Sequence, residues 1–242
     1  MLWRWKTEDE HLIFSLFLYS NLQVCYYHGH WEILPILITA KHSVCDIELE
    51  CHQGDETTVC PVSQPWQKPK LTDDGLILHG HQSILYYIAP DDLQGSAVKE
   101  KSLVQMWMHF VEKEIVPVLY AWVYPIMGRL PFNKQSTEHA KETCCKLLSA
   151  LDAYLRTCTF LVGERLTLAD IVVASALLWP YVMVFEPSFR EPYVNLNRWF
   201  QTCVNFPAFT SVLGDVPLCK EAYQFKEGCP VKIFVPFGKP QE

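Results

Sequence analysis

The run TLADIVVASALLW, Thr167 to Trp179, constrains the fold of this chain more than any other stretch. It is apolar enough to be a buried helix, yet it carries a carboxylate, Asp170, at its head. A buried charge is costly unless it is paired or hydrogen-bonded. Thr167 followed three residues later by Asp170 has the spacing of a capping box. In that arrangement the Thr side chain accepts from an early helix N–H and the acid reaches back to the Thr167 N–H. The acid also sits where the helix dipole favours negative charge. No second acid, His or metal-ligand pattern shares that turn, so Asp170 reads as a structural cap rather than a catalytic carboxylate.

The rest of the chain is read around this helix. Helical periodicity is strong after Ser96. Ala97 to Val116 carries Leu103, Val104, Trp107, Phe110 and Val111 at three-and-four spacing, and Pro117 should stop or kink it. Thr137 to Leu155 repeats the pattern, and further helices are expected from Leu168 and from about Asn195. Upstream, KPKLTDDGLILHGHQSILYYIAPDDLQGS reads as an extended segment, a turn at Asp73-Asp74-Gly75, a short strand, and a helix with Ile84, Tyr87 and Ile88 on its apolar side. At the N-terminus, Leu2 to Trp5 as a strand, Glu8 to Tyr19 as a helix and the apolar run LQVCYY suggest a β-α-β opening. Residues 29–66 show no clear period and read as irregular. The expected organisation is a thioredoxin-like part over 1–95, an all-helical part over 96–225 and a tail over 226–242, an α/β plus all-α chain.

Composition narrows the function. Half of the 242 residues are hydrophobic, the net charge is −7, and no dense Lys/Arg cluster is present. Direct nucleic-acid binding is therefore not expected. The ten cysteines are scattered, several within apolar helical patterns, as in a reduced intracellular compartment. The run HLIFSLFLYSNLQVCYY lacks a basic flank and a small-residue cleavage site. It is also too polar for a spanning helix, so neither leader nor membrane segment is expected.

TFLVGERLTLADI resembles the capping-box helix of the glutathione transferase C-terminal domain. WMHFVEKEIVP, NKQSTEHAKE, LLSALDAYLRTCTFLVGERLTLADI, FEPSFRE and NLNRWFQTCVNFPAFTSVLGDVPLC together resemble the transferase-like domain of the gamma subunit of translation elongation factor 1, over about Gly75 to Phe225. The resemblance implies a glutathione-transferase-like fold and a cytoplasmic, non-catalytic scaffold that binds the factor's nucleotide-exchange subunit. Self-pairing, or pairing with another transferase-like domain, is a further expectation. The family usually continues into a charged linker and another domain, so a shortened paralogue is one reading. A glutathione transferase with an atypical thiol-activating residue and a non-functional copy are the alternatives.

Active transferases of this fold present a hydroxyl or thiol just after the first strand to stabilise the glutathione thiolate. After LWRW this chain offers only Thr7, which suits a helix N-cap better. They also present Glu-Ser to the γ-glutamyl group at the turn before their third helix, where this chain has Gly80-His81. Pro69 matches their cis-proline, which also serves the fold. Thr7, Pro69, Gly80 and His81 are thus the expected vestige of a glutathione site, with no catalytic residue and no cofactor. His42, Cys45, Cys51, His52 and Cys60 match no ordinary zinc spacing. His28 with His30, and His79 with His81, would each place two rings on one strand face without a third ligand. Trp107, Phe110, Trp122, Tyr124, Trp179, Tyr181, Trp199 and Phe200 read as core rather than a ligand box. Arg198 is expected to pair with Glu186 or Asp215.

Overall fold

The computed structural model describes residues 22–27, 31–52, 69–229 and 231. Leu2 to Trp5, Thr7 and Glu8 to Tyr19 lie outside them, as do His28, His30 and Cys60. A four-stranded sheet of order β2-β1-β3-β4 is built from β1 (Gln23–Tyr27), β2 (Glu48–His52), β3 (Lys70–Asp73) and β4 (Leu76–His79). The β1 and β2 strands run parallel, with Gln23 opposite Glu48, and are joined through helix α1 (Ile33–His42). Part of the stretch read as irregular, 29–66, is helix α1 and strand β2, which corrects that expectation.

Helix α1 escaped detection for a physical reason: Ile33, Leu34, Pro35, Ile36, Ile38, Thr39 and Ala40 are all buried, so it is apolar nearly all round and shows no stripe. The β3 and β4 strands form an antiparallel hairpin. Its two-residue loop, Asp74-Gly75, has positive φ at both positions (39° and 84°), the geometry that a tight right-twisted hairpin needs. Helix α2 (His81–Ile88) follows at once and buries His81, Ile84, Leu85 and Ile88. Tyr87 is only half-buried, and its hydroxyl donates to Asp73 Oδ2 at 2.6 Å, tying α2 to β3.

After the short α3 (Asp91–Gln94) the chain enters α4 (Val98–Phe110), a π turn over Val111–Ile115, and α5 (Val116–Ile126). Pro117 neither stops nor breaks this helix. A proline has no N–H for the i−4 carbonyl, and the wider π turn just before it, closed by Val116 N–H to Val111 O, absorbs the mismatch. Helix α6 (Lys134–Leu155) is capped by Asn133, whose Oδ1 accepts from Ser136 N–H at 2.9 Å.

Helix α7 (Leu168–Met183) is the axis of the core, buried at every position but Val182. It packs on α1, α4 and α5. The short α8 (Pro187–Arg190), then α9 (Val194–Val204) and α10 (Pro207–Leu213) follow. Tyr181 of α7 stacks on Phe200 of α9 with ring centroids 3.8 Å apart, and Trp199 and Phe200 are fully buried, as core aromatics should be. Arg198 does not pair with Glu186 or Asp215. Its guanidinium donates to the Leu155 and Cys158 carbonyls at 2.9 Å each, satisfying the open C-terminal end of α6. Glu186 instead accepts from the Ala222 N–H. Beyond Gly214 the chain runs back as an extended strap, fixed by Cys219 N–H to Tyr181 O, Tyr223 N–H to Met183 O and Val231 N–H to Ile126 O. Among the described residues no helix is long and apolar enough to cross a membrane.

Candidate functional site

The first locus is the N-terminus of α2, where Pro69, Gly80 and His81 meet. Gly80 takes φ 80° and ψ 143°, a conformation that favours glycine, and turns the chain from β4 into α2. Its N–H donates to the Pro69 carbonyl at 2.9 Å. That turn also separates His79 from His81: one ends the strand and the other opens the helix, so the two rings do not share a strand face. The His81 ring turns inward, 3% exposed, edge-on to Trp31 at 4.9 Å between centroids. Neither Gly80 nor the inward His81 offers the carboxylate and hydroxyl of Glu-Ser.

Two acids close around that ring. Glu32 Oε1, just ahead of α1, lies 4.0 Å from His81 Nδ1, and Glu112 Oε1, on the π turn, lies 3.4 Å from Nε2. Burial holds the His81 imidazole down at about 4, so it is neutral at physiological pH. Burial, reinforced by the Glu112 carboxylate, lifts the Glu32 carboxyl to about 8. Sequence reasoning missed Glu32 and Glu112. The signal for Glu32 was the one used for Asp170: an acid heading an apolar run, here in WEILPIL.

The second locus is Asp170 itself, fully buried at the start of α7. Both halves of the capping box with Thr167 are in place. Oδ2 accepts from the Thr167 N–H at 3.0 Å and its hydroxyl at 3.1 Å, while Oδ1 accepts from the Leu161 N–H at 2.8 Å and Trp199 Nε1 at 2.9 Å. Burial pushes the carboxyl up from its ordinary value against the pull of these four donors. Asp170 therefore joins the loop before α7, the cap and α9. With every donor supplied by the protein itself, the residue is a structural hub.

The third is a groove of about 1050 Å³ between the C-terminal half of α7 and the strap, lined in part by Trp179, Val182, Met183, Val216 and Tyr223. None of Pro69, Gly80 or His81 lines it. Among the described residues no group of three or more His, Cys, Asp or Glu is placed to hold a metal ion. Cys45 is buried and its thiol is pushed up to about 11 by burial, then by Asp46 and Asp73, which makes it a poor nucleophile.

This arrangement of a small mixed sheet, a capped central helix and a helical bundle is the glutathione-transferase-like fold. The family model for the glutathione S-transferase C-terminal domain matches residues 115–207. Among solved structures, the GST-like domain of elongation factor 1-gamma from Saccharomyces cerevisiae superposes with a TM-score of 0.72 at 19% identity, covering 86% of this chain and all of that one. Glutathione transferase F2 from Populus trichocarpa gives 0.67 at 16% identity, over 78% and 96% of the two chains.

Within that fold class the chain is a homologue of elongation factor 1-gamma. It is 40% identical to the Homo sapiens protein over 208 residues, 82% of this chain and 48% of that one. It is 48% identical to the Danio rerio protein over 153 residues, 63% and 35% of the two. The chain thus spans about half the length, or less, of the elongation factor 1-gamma proteins cited.

Proposed function

We propose that the chain is a non-catalytic docking part of the translation elongation factor 1 machinery, working in the cytoplasm, and that it binds the factor's nucleotide-exchange subunit. The observation that carries this reading is the 40% identity to elongation factor 1-gamma over 82% of the chain. The α2 N-terminus supports it. Glutathione brings two carboxylates of its own, and a neutral imidazole flanked by Glu32 and Glu112 gives them no counter-charge. Pro69, Gly80 and His81, with Thr7, are the vestige of a glutathione site in this proposal. The division at residues 95 and 225 is proposed with it, as is pairing with itself or with another transferase-like domain.

Mixing the purified chain with the exchange subunit and measuring the mass of the eluted species by light scattering tests the proposal. A single species at the summed mass is expected at micromolar concentration. Two separate peaks from a chain that circular dichroism shows to be folded would reject docking. The second reading, a transferase with an atypical thiol-activating residue, draws on the fold shared with the Populus enzyme. It requires retention on immobilised glutathione and turnover of a standard electrophile above background, and neither is expected.

A further inference from the structure

Glu32, His81 and Glu112 reach one point from three elements that are far apart in sequence. Glu32 precedes α1, His81 opens α2, and Glu112 projects from the π turn that follows α4. The imidazole is buried between the two carboxyl groups, and its Nε2 has no hydrogen-bond partner of good geometry. The acids keep partial access to water, with side-chain exposures of 26% for Glu32 and 40% for Glu112. Protons can therefore exchange at the rim of a cluster whose centre is dry.

We propose that these three side chains form a proton-dependent clasp between α1, α2 and the helical layer, closed near neutral pH and loosened in mildly alkaline solution. With one proton on the cluster, Glu112 is its only net charge. Removing that proton leaves two carboxylates 4.0 Å and 3.4 Å from one uncharged, buried ring. The repulsion falls between elements joined otherwise by packing and by a few polar contacts, Tyr86 with Gln105 and Tyr124 with the Trp31 backbone.

Among the described residues, the salt bridges around the ring bring only Glu32 and Glu112 to it. Helix α2 carries no charged side chain besides His81, and β4 ends in His79. The π turn adds the exposed Lys113 and Glu114, and β3 adds Lys70 and the Asp73 already engaged by Tyr87. Helix α5 brings Tyr124, with the Arg129 guanidinium 5.8 Å over its ring. The basic residues of α1, Lys41 and His42, lie at its opposite end, and α10 contributes no charged side chain. On α7 the lone acid is Asp170, which is spent on its own four donors.

The direction of the pH response follows. Glu32 holds its proton up to about pH 8 when folded and releases it near its ordinary value of 4.5 when unfolded. Its contribution to stability is complete below about 4.5 and is lost as the pH rises through about 8.

Urea unfolding of the full chain at about pH 6 and about pH 9 tests the clasp. The unfolding constant of the wild type should rise by roughly tenfold or more beyond the rise seen in Glu32→Gln, which mimics the protonated acid. Equal pH responses in the two proteins would overturn the proposal. Glu112→Gln changes a side chain that is nearly half exposed and serves as the second variant. It removes the like charge that helps lift Glu32, so it should weaken the alkaline loss. Trp31 reports the same event, because its indole lies against the ring. The wild type minus Trp31→Phe difference in fluorescence should titrate with a midpoint near pH 8. A flat difference spectrum would also overturn the clasp.

Discussion

Replacing Asp170 by Ala should destabilise this protein far more than replacing its capping partner Thr167. The carboxylate serves three donors that have no water to turn to: the Leu161 N–H at 2.8 Å, the Thr167 N–H at 3.0 Å and Trp199 Nε1 at 2.9 Å. Each buried donor left unsatisfied costs about 1–3 kcal/mol, so Asp170→Ala should lose roughly 3–9 kcal/mol, a large share of a typical folding stability. Thr167→Ala removes one side of the box and leaves Asp170 with its remaining donors, for a loss of about 1 kcal/mol. Asp170→Asn keeps the shape but turns an NH₂ group toward donors, for a loss of about 2 kcal/mol. Burial raises the Asp170 carboxyl, so its contribution is fully present on the acid side and is lost as pH rises through its folded value. The penalty of Asp170→Asn should therefore be no smaller in mildly acidic buffer than at neutral pH. Urea unfolding followed by far-ultraviolet circular dichroism measures all three variants. If Asp170→Ala and Thr167→Ala fall within about 1 kcal/mol of each other, the four-donor hub is refuted and an ordinary surface cap takes its place.

Two further substitutions probe other joints of the fold. Asp152 accepts from the Asn195 and Leu196 N–H groups at 2.7 and 2.9 Å and from Asn195 Nδ2 at 3.0 Å, acting as a cap for α9 supplied from α6. Asp152→Ala should cost about 1–2 kcal/mol in the same unfolding assay, and an unchanged midpoint would show that the cap is replaced by water. Gly95 has φ 99°, and an added Cβ would stand 2.8 Å from Glu100 Cβ and 3.0 Å from the backbone of Glu100 and Lys101. Gly80 has a similar φ, but nothing lies within 4 Å of its Cβ position. Both Ala variants pay the conformational penalty, but Gly95→Ala should be the worse by about 1–2 kcal/mol of added crowding. Equal melting temperatures would contradict the clash.

The helical layer was legible because its helices are amphipathic. Val104, Trp107 and Val111 on one helix, and Cys144, Leu148, Leu151 and Leu155 on another, repeat at the spacing of one buried face. The Asp74-Gly75 hairpin was legible because its turn requires positive φ, which few residues tolerate. Helix α1 was missed for the opposite reason: it is wrapped by core on nearly all sides and carries Pro35, so its sequence has neither stripe nor clean helix propensity. The strand that opens the β-α-β unit is Gln23–Tyr27, and His28, Gly29 and His30 follow it in the sequence. Arg198 was misread because sequence offers only partners of opposite charge, while a guanidinium is equally satisfied by two carbonyls at the end of a helix.

Glu32 and Asp170 present the same sequence signal, an acid at the head of a buried apolar run, and the structure resolves them into different kinds of group. Both are lifted by burial, so desolvation does not separate them. What separates them is the number of donors that meet each carboxyl. Asp170 receives four, from three segments, and those bonds offset part of the loss of water that burial imposes. Glu32 faces an imidazole at 4.0 Å and a second carboxylate's field, so its environment favours the proton over the charge. A carboxyl of the first kind locks elements together. One of the second kind makes the junction it sits in responsive to protons.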